Sequence, residues 1–249
     1  MLELVDERSA TFRAVVRSAS DVGVQVPTCP GWTLLDLARH LGGGQRRWAA
    51  VVSAGPEGGK PAQSSSEIGG SGPADREALL EWLSESTQEL LGALREAGPD
   101  RGCWSWWGHT ESPQTSGAVG RHQVHEAAMH TYDAQLAVGD TQPVPAAIAA
   151  DGVEEFNVTC GTTTQAWPYE RAVVDIHASE GQSWRVTLSA AGASVSRLAI
   201  SGSDIGAADA SVSGTASDLM LMFYGRIPLE SVELGGDVEV LTRLREWDT

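Results

Sequence analysis

The feature that most constrains the fold is a run of possible metal ligands at four-residue spacing, His122, Glu126 and His130, within residues 117–138. Four residues turn an α-helix through about 400°, so these side chains lie nearly in line, about 6 Å apart along the axis. The spacing therefore predicts a helix that directs a carboxylate and at least one imidazole to one point beside it. Imidazoles with a carboxylate suit zinc or a similar divalent ion.

A further ligand must come from elsewhere in the chain, and His40 is the best candidate. Thr33 followed by Asp36 indicates a helix start, and Leu34 and Leu37 begin an apolar stripe along that helix. His40 falls near the stripe and is expected to point inward. A lone inward histidine is more often a hydrogen-bonded core residue. Two helices that offer ligands to one interior favour the metal site.

Two motifs carry a resemblance to a known family. The first is Pro-Thr-Cys-Pro-Gly-Trp-Thr at 27–33, which continues into Asp36-Leu37 and His40-Leu41-Gly42; the second is His-Glu-Ala-Ala-Met-His at 125–130, which continues into Asp133-Ala134. In this order and at this separation they resemble the mycothiol-dependent maleylpyruvate isomerase family, whose N-terminal domain is a DinB-like four-helix bundle. A weaker third match is Tyr-Gly-Arg-Ile-Pro at 224–228.

The resemblance implies a divalent metal bound by His40, Glu126 and His130, with zinc expected first. It also implies a small thiol, mycothiol or another low-molecular-weight thiol, at an open coordination position. Arg226 matches the family arginine that helps to hold an anionic substrate. One departure is His122, which follows Arg121 where relatives often have a second arginine, so the anion-binding residues are expected to differ.

Hydrophobic periodicity divides the chain into two parts. Four helical segments are predicted first, at 2–19, 33–52, 74–97 and 117–138, with a Gly-, Ser- and Pro-rich stretch at 54–73 that predicts a mobile loop. After Pro143-Val144-Pro145, a linking helix is predicted at 146–158. Alternating segments predict strands at 172–177, 184–189, 195–200 and 207–213, and further helices at 216–224 and 241–247.

These patterns predict an α+β protein with two domains. Residues 1–145 are expected to form a DinB-like four-helix metal-binding bundle, and residues 146–249 a small α+β domain with an antiparallel sheet. Three tryptophans, Trp104, Trp106 and Trp107, follow the third helix. Neighbouring side chains point in different directions, so we expect at least one of them to line the metal pocket, with core packing as the alternative.

Charge and composition exclude several classes of partner. The net charge of −16, from 33 acidic and 17 basic residues, disfavours nucleic acids and anionic membranes. The N-terminus is acidic and no apolar run reaches the roughly 18 residues of a membrane span, so a cytoplasmic location is expected, with a monomer favoured. Three widely spaced cysteines, Cys29, Cys103 and Cys160, indicate neither a disulfide framework nor a zinc-thiolate cluster.

The leading functional hypothesis is metal-assisted thiol chemistry on a small electrophilic, anionic substrate, either isomerisation or thiol transfer. Metal-water hydrolysis, with Glu126 or His125 as base, is an alternative. The spacing differs from the His-Glu-x-x-His protease motif, because His125 and His130 lie about 140° apart on a helix, so His125 is expected to neighbour the site without binding the metal. A non-catalytic metal- or ligand-binding module and a purely structural bundle stay open.

Overall fold

A computed structural model describes residues 1–60, 72–198 and 206–247. Most of the loop predicted at 54–73, and the end of the strand predicted at 195–200, lie outside the described residues. The chain divides into two compact units. The first unit is Met1–Trp106 with Pro113–Val144, and the second is Trp107–Ser112 with Pro145–Thr249.

Within residues 1–60 and 72–144, the first unit contains four long helices, each close to its predicted position. They are α1 (Leu2–Ser18), α2 (Leu34–Ala54), α3 (Arg76–Ala97) and α4 (Ser116–Val138), with a 3₁₀ turn at Gly55–Gly58. Helix α1 packs against α3 and α4, and α2 packs against the same two helices. The apolar core lies between them, and its largest fully buried side chains include Phe12, Leu34, Leu37, Leu79 and Leu83.

The helix that starts at Leu34 begins where the sequence predicts, because Thr33 and Asp36 form a reciprocal cap. The Asp36 amide donates to Thr33 Oγ1 at 3.2 Å, and the Thr33 amide donates to the Asp36 carboxylate at 2.9 Å. Helix α4 is unusual, since it buries polar side chains as well as apolar ones. Among its buried residues are His122, Gln123, His125, His130, Thr131 and Asp133.

In its described residues, the second unit combines three α-helices with a five-stranded sheet. Its elements are α5 (Ala146–Thr159), β1 (Ala172–Ala178), β2 (Ser183–Ser189), β3 (Gly192–Arg197), β4 (Ala210–Gly214), α6 (Ala216–Phe223), β5 (Glu233–Gly236) and α7 (Val238–Glu246). The strand order is β3-β2-β1-β4-β5. The predicted α+β class is confirmed.

The sheet is mixed, whereas an antiparallel sheet was predicted. Strand β1 pairs antiparallel with β2 and parallel with β4, so that Val174 faces Val186 on one side and Ala210 on the other. After two antiparallel turns, β3 runs in the same direction as β1, and the chain then returns across the sheet to place β4 on the other side of β1. Strand β5 was not predicted, because its sequence, Glu-Leu-Gly-Gly, shows no alternation.

Residues 107–112, which the sequence placed with the bundle, belong to the second unit. Trp107 is fully buried, and the Glu111 amide donates to Thr162 Oγ1 at 3.1 Å. The expected functional division of the chain at residue 145 stays a prediction. In the part of the chain that the structure describes, no helix has the length and apolar character that crossing a membrane requires.

Candidate metal centre

Helices α2 and α4 bring three possible metal ligands together. His40 comes from α2, Glu126 and His130 come from α4, and one ligand atom from each lies within 4.8 Å of the others. The two imidazole rings meet edge to face, with centroids 5.2 Å apart, and His130 Nε2 lies 3.5 Å from Glu126 Oε2. Of the residues that the structure describes, this is the one group of three or more His, Cys, Asp or Glu side chains with such spacing.

The local sequence explains how His40 and His130 reach the same point. His40 follows the buried residue Leu37 by one helical turn, so it points toward the bundle interior, where the Trp32 ring packs against it at 4.7 Å. Glu126 and His130 are one turn apart on α4 and therefore share a face. Helices α2 and α4 pack against each other, which brings His40 close to Glu126 and His130.

Asp133, which belongs to the second motif but was given no role from the sequence, holds His130 in place. Its carboxylate is fully buried, and Oδ2 accepts a hydrogen bond from His130 Nδ1 at 3.0 Å. Oδ1 accepts from the Thr28 hydroxyl at 2.6 Å, and the Cys29 thiol donates to Oδ2 at 3.8 Å. The hydrogen bond between His130 and Asp133 keeps a proton on Nδ1, so the Nε2 lone pair is available to a metal. Carboxylates fix the tautomer of metal-binding histidines in this way in many proteins. The sequence feature that could have indicated this contact is an acidic residue three positions after His130 on the same helix.

Burial and neighbouring charges set the protonation of the three ligands. Burial, aided by the nearby His130 charge, lowers the pKa of His40 to about 4, so this imidazole is neutral at pH 7. Burial would also lower the pKa of His130, but hydrogen bonds to Asp133 and Glu126 outweigh it and raise the pKa to about 9. Burial would raise the pKa of Glu126, yet the His130 hydrogen bond and the His122 charge outweigh it and lower the pKa to about 2.

The donor set fits a divalent ion. Two imidazoles and one carboxylate are three protein ligands, the number that leaves an open position in catalytic zinc sites. The surroundings of His130 stabilise its protonated, positively charged form. The same negative potential would favour a bound metal ion. The arrangement could thus hold a metal together with a small exogenous ligand.

Two further histidines of α4 lie outside the group of three. His122 lies one helical turn before Glu126, and its Nε2 is 3.6 Å from Glu126 Oε1. His125 is fully buried on another part of the helix surface. Among the tryptophans, Trp106 lies against the His122 ring at a centroid distance of 5.9 Å, whereas Trp107 is buried in the second unit.

Arg226, the predicted substrate-binding residue, lies in the second unit just after α6. Its amide donates to the Leu221 carbonyl at 2.7 Å, and Nη1 donates to the Tyr224 carbonyl at 2.8 Å. Gly225 before it has a φ of 70°, a left-handed conformation that glycine adopts without strain. The turn thus presents the guanidinium from a constrained backbone, and its role in substrate binding stays a prediction.

Comparison with known families identifies the chain. Residues 2–135, more than half of its length, match the family described as the mycothiol maleylpyruvate isomerase N-terminal domain. The chain belongs to the mycothiol maleylpyruvate isomerase family. Residues 147–243 match the MDMPI C-terminal domain, so both units of this family member have a counterpart. The resemblance inferred from the motifs at 27–42 and 125–134 is confirmed, and the chain is homologous to an enzyme.

Solved structures agree with the fold of this family member. Two crystal structures of the mycothiol-dependent maleylpyruvate isomerase, one of them of a mutant, match with TM-scores of 0.57 and 0.58 at 16% and 15% sequence identity. Each match covers 94% of this chain and 91% of the other. At this identity the likeness shows the shared fold alone. No curated protein sequence matches the chain.

Proposed function

We propose that this family member is a divalent-metal-dependent enzyme that uses mycothiol, or another small thiol, to isomerise or to thiolate a small electrophilic, anionic substrate. The observation that carries the proposal is the convergence of His40, Glu126 and His130 in the bundle of a chain from this family. The printed name of the related isomerase, mycothiol-dependent maleylpyruvate isomerase, supports the choice of thiol.

The three side chains would hold the ion through one imidazole nitrogen of His40, a carboxylate oxygen of Glu126 and Nε2 of His130, with zinc expected first. A bound divalent ion favours the thiolate form of a coordinated thiol at neutral pH, because coordination stabilises the charged sulfur. Asp133 keeps the proton of His130 on Nδ1, 3.0 Å away, so that Nε2 stays directed at the ligand group.

The charge of the ligand set suits a thiolate. His40 is neutral at pH 7 because its pKa is about 4, and Glu126 is ionised because its pKa is about 2. Once a divalent ion displaces the Nε2 proton of His130, whose pKa is about 9, two neutral imidazoles and one carboxylate would leave the ion with one net positive charge. A set with a second carboxylate would neutralise the ion and attract an anionic sulfur less strongly.

The reaction follows from the chemistry of a thiolate. Its sulfur adds to an activated double bond, a C–S bond forms, and the π electrons move to the conjugated carbonyl. Rotation about the resulting single bond and the reverse elimination return the thiolate and give the isomer. In the transfer reaction the sulfur stays attached and a leaving group departs with its electron pair. We propose that Arg226 binds a carboxylate of the thiol or substrate through its planar guanidinium.

Turnover with and without thiol tests this proposal. The purified protein, loaded with zinc, is given maleylpyruvate to detect isomerisation, or 1-chloro-2,4-dinitrobenzene to detect transfer, each with and without mycothiol. We expect turnover that needs both the thiol and the metal, that is lost on chelation, and that returns on addition of zinc. The Glu126→Ala variant should be inactive in both assays. Turnover that persists without any thiol would contradict the proposal, and release of chloride from 1-chloro-2,4-dinitrobenzene under that condition would support metal-water hydrolysis.

A further inference from the structure

Two indoles contact His122 beside the candidate metal centre, and a third stacks on one of them. Trp48 belongs to α2, and Trp104 and Trp106 belong to the segment between α3 and α4. Trp48 stacks on Trp104 with ring centroids 6.3 Å apart and planes 26° from parallel. The His122 ring meets Trp48 at 6.2 Å and Trp106 at 5.9 Å, with interplanar angles of 71° and 72°. We call Trp48, Trp104, Trp106 and His122 the indole wall.

The indole wall reaches the candidate ligands directly. His122 Nε2 is 3.6 Å from Glu126 Oε1, and Glu126 Oε2 is 3.5 Å from His130 Nε2. One side chain therefore separates the indoles from a proposed metal ligand. A small molecule that lies against the wall is close to any group bound at the centre.

Trp106 is exposed although the wall around it is packed. Its exposed fraction is 43%, whereas Trp107, the next residue, is fully buried, and His122 is 8% exposed. The edge-to-face contacts with His122 orient the rings of Trp48 and Trp106, so the surface is formed before a ligand arrives. A large aromatic side chain kept in solvent beside a polar centre is typical of small-molecule sites, where aromatic surface holds the ligand and a few polar groups orient it.

We propose that the indole wall binds the electrophilic substrate, and that this substrate carries a planar, electron-poor conjugated or aromatic group. The inference rests on the proposed function, which places an electrophile beside Glu126. Indole faces carry negative charge density, so they attract a ring depleted of electrons by its activating groups. Such electron depletion is also what makes a carbon susceptible to attack by a thiolate. Trp106 is thus a specificity residue that recognises the planar group of the substrate.

Binding of an unreactive probe tests the indole wall apart from turnover. The zinc-loaded protein without thiol is titrated calorimetrically with 1,3-dinitrobenzene, which is planar and electron-poor but has no leaving group. Maleate, compact and without a ring, is the comparison ligand. We expect Trp106→Ala to weaken dinitrobenzene binding about five- to tenfold, the range of a lost aromatic contact, and Trp106→Phe to stay within about twofold of wild type. Maleate binding and zinc content should not change.

Tyr169 supplies a matched control for non-specific stacking. It lies in the second unit and is 49% exposed, close to the exposure of Trp106. Tyr169→Ala should bind dinitrobenzene like the wild type. Absence of dinitrobenzene binding, equal binding by Trp106→Ala and the wild type, or equal loss in Tyr169→Ala would each overturn the proposal. Since the titration uses no thiol, its outcome is independent of whether thiol-dependent turnover is found.

Discussion

At the scale of single residues, His130 carries the proton that a metal ion has to displace. Its pKa of about 9 means that it is a cation at pH 7 without metal, whereas the His40 pKa of about 4 means that His40 has no proton to lose there. Proton and metal therefore compete for one nitrogen, Nε2 of His130. Such competition links metal affinity to pH.

We predict that zinc binding at pH 7 releases about one proton, and that zinc affinity rises about tenfold per pH unit before levelling off above pH ~9. The sign follows because the protonated form of His130 predominates below its raised pKa and cannot coordinate through Nε2. Calorimetry in buffers of different ionisation enthalpy measures the proton directly. An observed enthalpy at pH 7 that does not vary with the buffer would contradict the assignment.

Asp133 is predicted to set how tightly the metal is held. Asp133→Asn removes the charged acceptor of the His130 Nδ1 hydrogen bond, so zinc affinity should fall about 10- to 100-fold, as it does when such supporting carboxylates are lost. Thr28→Val removes only the hydroxyl that donates to Oδ1, and its effect should be smaller. Competition with a chromophoric chelator gives both values. Equal affinities of Asp133→Asn and the wild type would show that the carboxylate has no such role.

How much of the site could be predicted depended on where its residues lie in the chain. Glu126 and His130 share one helix, so their common face follows from the four-residue spacing. His40 lies on another helix, so its inward position made it a candidate, and the resemblance to a family added support for its pairing with Glu126 and His130. The partly buried Thr28–Asp133 contact and the indole wall join residues that are distant in sequence, and no local periodicity reports such contacts.

At the scale of elements, the position of α2 depends on a close approach to α3 just after His40. A Cβ on Gly42 would lie 2.2 Å from Cζ3 and 2.7 Å from Cη2 of Trp82 on α3. A Cβ on Gly43 would have no heavy atom within 4 Å. Two adjacent glycines of the same helix therefore have opposite surroundings.

We predict opposite effects of alanine at these two positions on the free energy of unfolding. Gly42→Ala should destabilise the protein by about 1–3 kcal/mol, because the Trp82 ring must move. Gly43→Ala should stabilise it by up to about 1 kcal/mol, because alanine favours the helix and meets no neighbour. Urea unfolding measures both variants. Equal effects of the two substitutions would mean that the α2–α3 packing differs from that described.

The sequence predicted the elements better than their pairing. Hydrophobic periodicity located the helices because each buries one face, and it located β2 because Trp184, Val186 and Leu188 alternate with more exposed residues. The parallel pairing of β1 with β4 could not be predicted, because it depends on where the chain returns across the sheet. Strand β5 has two glycines in four residues, so its strand character comes from pairing with β4.

At the scale of the whole molecule, the proposed metal ligands lie in the first unit and Arg226 lies in the second. The net charge of −16 would repel an anionic substrate at long range, so a local cation has to bind it. Arg226 is the residue proposed for this. Its amide donates to the Leu221 carbonyl of α6, and Nη1 of its guanidinium donates to the Tyr224 carbonyl.

Arg226→Lys is predicted to lower kcat/KM for the anionic substrate about tenfold, because an ammonium group cannot form the paired hydrogen bonds of a guanidinium. Zinc content should stay the same. Arg197→Lys is the matched control, since the Arg197 side chain is 60% exposed in the same unit and pairs with Glu154 at 3.5 Å. Unaltered kinetics in Arg226→Lys, or an equal loss in Arg197→Lys, would remove the support for this role.

We propose that His40, Glu126 and His130 together bind a divalent ion, and the metal content of purified variants measures this binding. Elemental analysis should find about one divalent ion per chain in the wild type and in His125→Ala, which alters a buried neighbour outside the ligand group. Glu126→Ala, His40→Ala and His130→Ala should each lose most of it. Full metal content in Glu126→Ala, or a loss in His125→Ala as large as that in His130→Ala, would contradict the claim.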